Sequence, residues 1–354
     1  MIIKSLRLLP FIFLLSCISL WGQESYTDPP VNDTLPGAKW HRWKISVAEA
    51  YISCNQDEKL DGIDPDGPDN IYGEADMTQD GRYFNAELSR DFRKGYQIKV
   101  SYSLVTLNHD KIAKIGDTLS LDNQYPLKQH QLYLTGTIPL GQSFYLQPAI
   151  NMILQRYTTV MPQPYEDSLW FRFPVEEFRI NSFIGYLAVT KNFNIARVSV
   201  VAAYSDLNEK NQFQAGFQAM ILPVRNMNFY LSEKILCQVN ESEEVHLIFE
   251  QIIGGKISKK FGIEANATFG KMNNYHDRNA SMVYNVMNRM KFKGGVRLLY
   301  QITPRWKLSG EYSYLMREED YLYYSEPDWD LIVPVNEAVN FNSQFFTLGL
   351  SCTF

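Results

Sequence analysis

Net basic charge, long apolar runs, helical periodicity, cysteine and histidine are all scarce in this 354-residue chain. Each scarcity removes a class of answer. The 34 Lys and Arg are outnumbered by 39 Asp and Glu, for a formal net charge of −5, and the cations are spread along the chain. Nothing there calls for nucleic acid. No apolar run after residue 22 approaches the ~18 residues that a membrane-crossing helix needs. There are four cysteines, too few for a disulfide framework. Cys54, Cys237 and Cys352 read as small apolar side chains, with a Cys54–Cys237 bridge as the alternative. The five histidines are His41, His109, His130, His246 and His276, and no HExxH, GxSxG or CxxC motif accompanies them. An enzyme is therefore not expected. His276, in the stretch YHDRN, reads as an exposed loop residue.

The one apolar run lies at the start, MIIKSLRLLPFIFLLSCISLWGQ. Lys4 and Arg7 precede the apolar stretch Leu8–Leu15, and Gly22–Gln23 supplies a cleavage point, so residues 1–22 read as a secretory signal peptide. Its removal takes away two cations and shifts the charge from −5 to −7. Within it, LLSC resembles a lipoprotein box ending at Cys17, which makes a lipidated Cys17 an alternative. Residues 23–38 are polar and proline-rich, a linker expected on the periplasmic side.

From residue 39 the pattern has period two. Phe213, Ala215, Phe217, Ala219 and Ile221 stand opposite Gln212, Gln214, Gly216 and Gln218, and Trp306, Leu308, Tyr312 and Tyr314 opposite Lys307, Ser309, Glu311 and Ser313. Alternation alone suits a soluble sandwich. Three features favour a membrane barrel instead. The segments run about 10–20 residues against ~5–6 for soluble strands. Connections alternate between short and long. Aromatics gather at segment ends, as in Trp43 with Tyr51, where lipid meets water. The expected fold is all-β, a transmembrane antiparallel up-and-down barrel over residues 39–354. Fourteen strands are expected, with 12 or 16 as alternatives. The spans are 39–54, 82–91, 95–107, 128–138, 142–155, 181–190, 194–205, 211–222, 226–239, 244–257, 260–272, 282–302, 305–317 and 342–354. Pro148 predicts a bulge in the fifth span, and Gly294–Gly295 a bend in the twelfth.

The chain ends FTLGLSCTF. With the leader and the amphipathic spans, this ending resembles Gram-negative outer-membrane β-barrel proteins; the Gly-Gln junction and tyrosine-rich spans are similar to those of Bacteroidota. The resemblance implies an outer-membrane location with both termini periplasmic. It also implies that Phe346, Leu348, Leu350 and Phe354 form the signal read by the barrel-assembly machinery. Lipid and that machinery are then the expected partners, with a further outer-membrane protein possible in principle. Fourteen strands are also the number in fatty-acid-transporter barrels, whose N-terminal hatch opens on Asn-Pro-Ala; no such motif follows Gln23.

Charge within the spans points inward. Arg289, Lys291, Lys293 and Arg297 share one face of the twelfth span, where lipid contact at the midplane would cost about 2–4 kcal/mol each. Neighbouring spans add Glu264, Lys307 and Glu311. One reading is an anion-preferring wall along a water-filled lumen; the other is a charge network closed by inward acids or a folded loop. Outside the spans, DPDGPDN carries Asp64, Asp66 and Asp69 in an acidic stretch. These oxygens suit Ca²⁺ in loop 55–81, although the twelve-residue calcium-loop register is absent and a solvated acidic loop is the alternative. No other cofactor is expected. The functional expectation is a porin-like passive channel for small polar or anionic solutes, gated by loops 55–81, 156–180 and 318–341. The alternative is a non-conducting barrel that is a subunit or scaffold of a larger outer-membrane complex.

Overall fold

The period-two segments form one closed antiparallel barrel of fourteen strands. The computed structural model describes residues 42–55, 72–92, 95–115, 118–141, 143–160, 163–164, 171–172, 174–225, 227–241, 244–284, 289–324 and 334–354. In chain order the strands begin with β1 (Arg42–Asn55), β2 (Tyr72–Asp91), β3 (Gln97–Ile115), β4 (Thr118–Pro139) and β5 (Phe144–Val160). A two-residue pairing outside the wall follows, β6 (Gln163–Pro164) with β7 (Phe171–Arg172). The wall resumes with β8 (Val175–Asn192), β9 (Ala196–Ser205), β10 (Gln212–Ile221), β11 (Phe229–Asn240), β12 (Val245–Lys256) and β13 (Phe261–Met272). Next comes a small hairpin, β14 (Tyr275–Asp277) with β15 (Met282–Tyr284), which is not part of the wall. The wall closes with β16 (Arg289–Gln301), β17 (Trp306–Tyr324) and β18 (Pro334–Thr353). The expected signal peptide, the linker, Asp64, Asp66 and Asp69 lie outside the described residues.

Alternation persists to the last residue because the last strand must pair with the first. Trp43 and Phe354 each donate an N–H to the other's carbonyl at 2.9 Å. The ladder then runs from Lys44↔Thr353 to Asn55↔Asn342. An unpaired edge would leave peptide groups in hydrocarbon without partners. Phe346, Leu348, Leu350 and Phe354 all point outward, and Leu348 is 68% exposed. Such exposure of a leucine would be costly in water and is ordinary against lipid. The same holds for Ile150, Met152 and Leu132, all outward and half exposed. The facing rows turn inward and are polar: Gln129, Asn151, Gln214 and Gln238 are buried in the lumen.

The wall is uneven in height. Strands β2 to β5, β8, β17 and β18 have 17 to 22 residues, whereas β9 to β13 have 10 to 12. About 9–11 residues suffice to cross, so the long strands project beyond the bilayer at the end away from the termini. Much of the expected loops 108–127 and 318–341 is therefore strand. At that end Tyr72–Glu74 of β2 also pairs with Leu322–Tyr324 of β17.

Three local expectations are corrected. Pro148 makes no bulge: the β4–β5 register is unchanged from Thr135↔Ala149 to Ile138↔Leu146. Two rungs are simply unpaired there, since proline has no N–H to donate, and Thr135 Oγ1 donates to the Pro148 carbonyl at 2.8 Å. The stretch 282–302 is two elements, β15 and β16, with residues 285–288 between them not described. Gly294 and Gly295 keep register with Ala267 and Asn266, and the irregularity falls instead between Met290 and Phe292.

Candidate functional site: a hairpin across the lumen

After Met272, β13 leaves the wall and the chain turns into the barrel. Gly270 prepares the departure. It has φ +136, and a Cβ there would lie 2.4 Å from the Leu247 carbonyl oxygen. The register breaks between Phe269 and Met272, as at a bulge. Asn273 and Asn274 follow, held by the neighbouring short strands. Gln238 donates to the Asn273 carbonyl at 2.6 Å and Gln212 to the Asn274 carbonyl at 3.2 Å. Asn208 donates to the Asn274 side chain at 2.9 Å.

The β14–β15 hairpin then crosses to the opposite wall. Its tip, Arg278, Asn279 and Ala280, has three consecutive left-handed residues at φ 50, 58 and 67. Such residues are disfavoured outside glycine, asparagine and aspartate, and each stores on the order of 1 kcal/mol or more. The tip is over-determined by contacts from β4, β5 and β8. Tyr133 donates to the Asn279 carbonyl at 3.0 Å, Tyr186 to the Asn279 side-chain oxygen at 2.8 Å, and Asn151 to the Ala280 carbonyl at 2.8 Å. Tyr275 and Ala280 are fully buried. They sit in one apolar cluster with Ile153, Ile184, Leu236, Ile248 and Leu315 from the surrounding wall. Fourteen strands enclose more space than wall side chains readily fill, and this hairpin fills part of the difference.

Charge fastens the hairpin along its length. Asp277 is ion-paired with Lys293 of β16, and both side chains are nearly inaccessible. Arg278 reaches Glu311 of β17 at 2.5 Å, and Arg297 of β16 lies 3.8 Å from the other oxygen of that carboxylate. Tyr275 donates to Glu250 of β12 at 3.3 Å, and Glu250 is 3.5 Å from Lys234 of β11. Burial alone would raise the Asp277 carboxyl, but Lys293, Lys234 and Arg278 around it hold it below the usual carboxylate range. Glu311 holds the Arg278 guanidinium protonated more firmly still. His276 is the exception. Burial, reinforced by the nearby Lys234 charge, pushes its pKa down to about 3, so it is docked as a neutral imidazole. It is 4% exposed, and its Nε2 has no hydrogen-bond partner among the described residues. The expectation of an exposed loop histidine is thereby corrected. Cooperation among groups 20 or more residues apart buries it, and no local signal marks that.

The residues singled out from sequence separate into groups. Lys293, Arg297, Glu264 and Glu311 come together on the inner wall. Glu264, Arg297 and Glu311 occupy one row across β13, β16 and β17, and Glu264 is 3% exposed. Lys291 does not line the lumen with them. It is the extra residue of the bulge, partly exposed, and binds Glu318 at 2.6 Å. Arg289 is registered opposite Glu318 at the same end. Lys307 lies far down the strand near the turns, in a shallow cavity with Lys256, Lys259 and Lys260. Missed entirely were Asp277, Arg278 and Asn279, whose one sequence signal was asparagine-rich turn composition. Cys54, Cys237 and Cys352 are free thiols, and Cys54 Sγ is 3.2 Å from Ser343 Oγ. Among the described residues no group of three His, Cys, Asp or Glu is placed to hold a metal ion.

Above the hairpin, toward the long-strand end, a cavity of about 80 Å³ remains. Ile52, Leu107, Leu127 and Phe345 give it apolar walls, Val283 forms part of its boundary, and Arg317 supplies a cation. The hairpin is thus a charged, hydrogen-bonded crosspiece that borders this cavity.

No protein-family model matches the chain, and no curated protein matches it. Solved structures do resemble it. A Pseudomonas aeruginosa FadL homologue aligns with a TM-score of 0.56 at 8% identity, over 94% of this chain and 95% of that one. The toluene transporter TodX of P. putida aligns with a TM-score of 0.55 at 6% identity, over 95% of both chains. At such identities the likeness is one of fold: that of an outer-membrane β-barrel.

Proposed function

We propose that the protein is a passive outer-membrane channel for small polar or anionic solutes, in which the β14–β15 hairpin is the gate. The carrying observation is what crosses the lumen. One inserted hairpin crosses it, fastened to Lys293 and Glu311 of the wall by buried charge pairs around a strained tip. Buried ion pairs add little net stability, because desolvation offsets attraction, and their best-attested use is in registry and switching. Ion pairs of that kind would let the hairpin's docking respond to charge. Loops 55–81, 156–180 and 318–341 are not needed as the gate in this reading. Withdrawal of the hairpin would take Asp277 away from Lys293 and Arg278 away from Glu311, uncovering one charge of each sign, with Lys293 and Arg297 the wall cations that would attract anions.

The test compares the full-length mature protein with a variant in which residues 275–284 are replaced by a short Gly-Ser linker, both in planar bilayers. The variant should show long-lived stepwise conductance and the parent brief or rare openings. Lys293→Gln in the open variant should lower the anion preference read from reversal potentials in a KCl gradient. If the hairpin-less barrel never conducts, the channel reading fails.

A second reading, a non-conducting subunit of a larger assembly, is favoured by one observation. Glu233 and Gln251 face outward on β11 and β12, joined by a 3.4 Å hydrogen bond in an otherwise apolar surface. A carboxylate against lipid is better accommodated beneath a protein partner. Mild detergent extraction that brings down a stoichiometric partner, together with a silent bilayer, would favour this reading over the first.

A further inference from the structure

On the outer surface the strand registers line up a row of side chains that the gate does not use. Arg82 of β2 is registered with Thr106 of β3, Thr106 with Lys128 of β4, Lys128 with Arg156 of β5, and Arg156 with Arg179 of β8. The four cations are exposed and have the parity of the lipid-facing residues. Adjacent strands are ~4.8 Å apart, so the row spans roughly 20 Å along one rung. Lys128, Arg156 and Arg179 are directly opposite one another, and like charges so placed repel. Arg179 is answered by Glu177, at 2.9 and 3.1 Å. Arg82, Lys128 and Arg156 make no close ion pair among the described residues, although Glu177 lies near enough to Arg156 to feel its charge and Glu49 lines the same surface hollow as Arg82. The acid one step further up, Asp80, accepts a hydrogen bond from Asn108 at 2.6 Å.

The next rungs toward the termini change character. Phe84, Leu104, His130 and Leu154 form the first, and Ala86, Tyr102, Leu132 and Met152 the second. Met152, Leu132 and Leu154 are about half exposed (57%, 50% and 49%). Tyr102 and His130 are hydrogen-bonded at 2.7 Å between these rungs. The cations therefore sit one rung, ~7 Å along the strand, above the apolar belt, at the depth of lipid headgroups. Like charges set in register at that depth call for an anion there.

We propose that this row binds the phosphate-bearing headgroup of a membrane lipid, with its acyl chains lying on Leu132, Met152 and Leu154. Guanidinium and ammonium groups on neighbouring strands match phosphate oxygens in charge and in donor geometry. The binding itself follows from the row. Only the assignment of the lipid to the outer leaflet rests on the expected periplasmic termini.

The experiment uses the full-length mature barrel folded in a neutral detergent. Native mass spectrometry would read its adducts with diphosphoryl lipid A and with the same lipid stripped of phosphate. The parent should retain the phosphorylated probe at least tenfold better. The variant R82Q/K128Q/R156Q should lose that preference to within twofold while keeping the heat-dependent gel shift of a folded barrel. Equal binding of the two probes by the parent overturns the proposal, as does an undiminished preference in the variant. If the substitutions instead leave lipid adducts intact and release an acidic protein retained in mild detergent, the row is a protein contact and the lipid assignment is wrong. If the triple variant does not fold, Lys128→Gln and Arg156→Gln are read singly, each expected to reduce the preference severalfold; no reduction in either overturns the proposal.

Discussion

Lowering the pH from 7 to 5 should loosen the hairpin, because His276 is docked as a neutral ring. Its ordinary pKa of 6.5 falls to about 3 in the docked hairpin, burial being the main cause and Lys234 the second. A released hairpin would restore the ordinary value. The released state then binds the extra proton between these limits, so docking is fully supported above pH 6.5 and weakens as pH falls toward 3. The ratio of docked to released forms should fall about 25-fold from pH 7 to pH 5, close to 2 kcal/mol, and about 200-fold by pH 4. Asp277 works in the same sense, but its effect falls below this window. Its lowered carboxyl keeps its contribution above about pH 4 and loses it only at lower pH. Lys234 on β11 and the adjacent Asp277 of the hairpin supply the charges around the imidazole. The assay is open-time fraction in a planar bilayer between pH 7.5 and 4.5, with His276→Phe as the non-titrating comparison. An open fraction flat with pH in the parent would refute the reasoning, and so would an equal pH slope in the phenylalanine variant.

Two further outcomes follow from other parts of the same crosspiece. Asp277→Asn leaves the Lys293 ammonium buried without its acid, which should cost the docked hairpin about 3–5 kcal/mol and raise the open fraction at pH 7. Adding Lys293→Met should restore closure, and a double variant as open as the single one would show that the pair does not hold the hairpin. Gly270→Ala places a Cβ against the Leu247 carbonyl at a backbone conformation with φ +136. A loss of about 1–3 kcal/mol should lower the temperature at which the folded gel band disappears. An unchanged temperature would mean that the bulge needs no glycine.

The wall was legible because its causes are local and repetitive. Each span obeys a two-residue period set by lipid outside and polar lumen within, and a one-residue slip would invert every side chain. That is why all fourteen spans, including the weakly apolar RYFNAELSRD, correspond to wall strands. Errors collected where one residue breaks the period. Lys291 looked inward by counting from Lys293, but the bulge beside Met290 resets the count. Pro148 suggested a bulge where the wall only drops two rungs, since flanking pairs on both sides hold the register.

By itself, then, the amino-acid order determined a sealed cylinder, the facing of its regular rows and the union of first and last strands, all consequences of backbone groups that must be paired in hydrocarbon. The ring of pairings settled fourteen strands over twelve or sixteen, and only the tertiary structure decided what stands inside the cylinder. The contacts that carry YHDRNA across the lumen join residues far apart in the chain, Tyr133 with Asn279 across 146 positions and Asn151 with Ala280 across 129. No periodicity records such partners, because they become neighbours only once the barrel has closed.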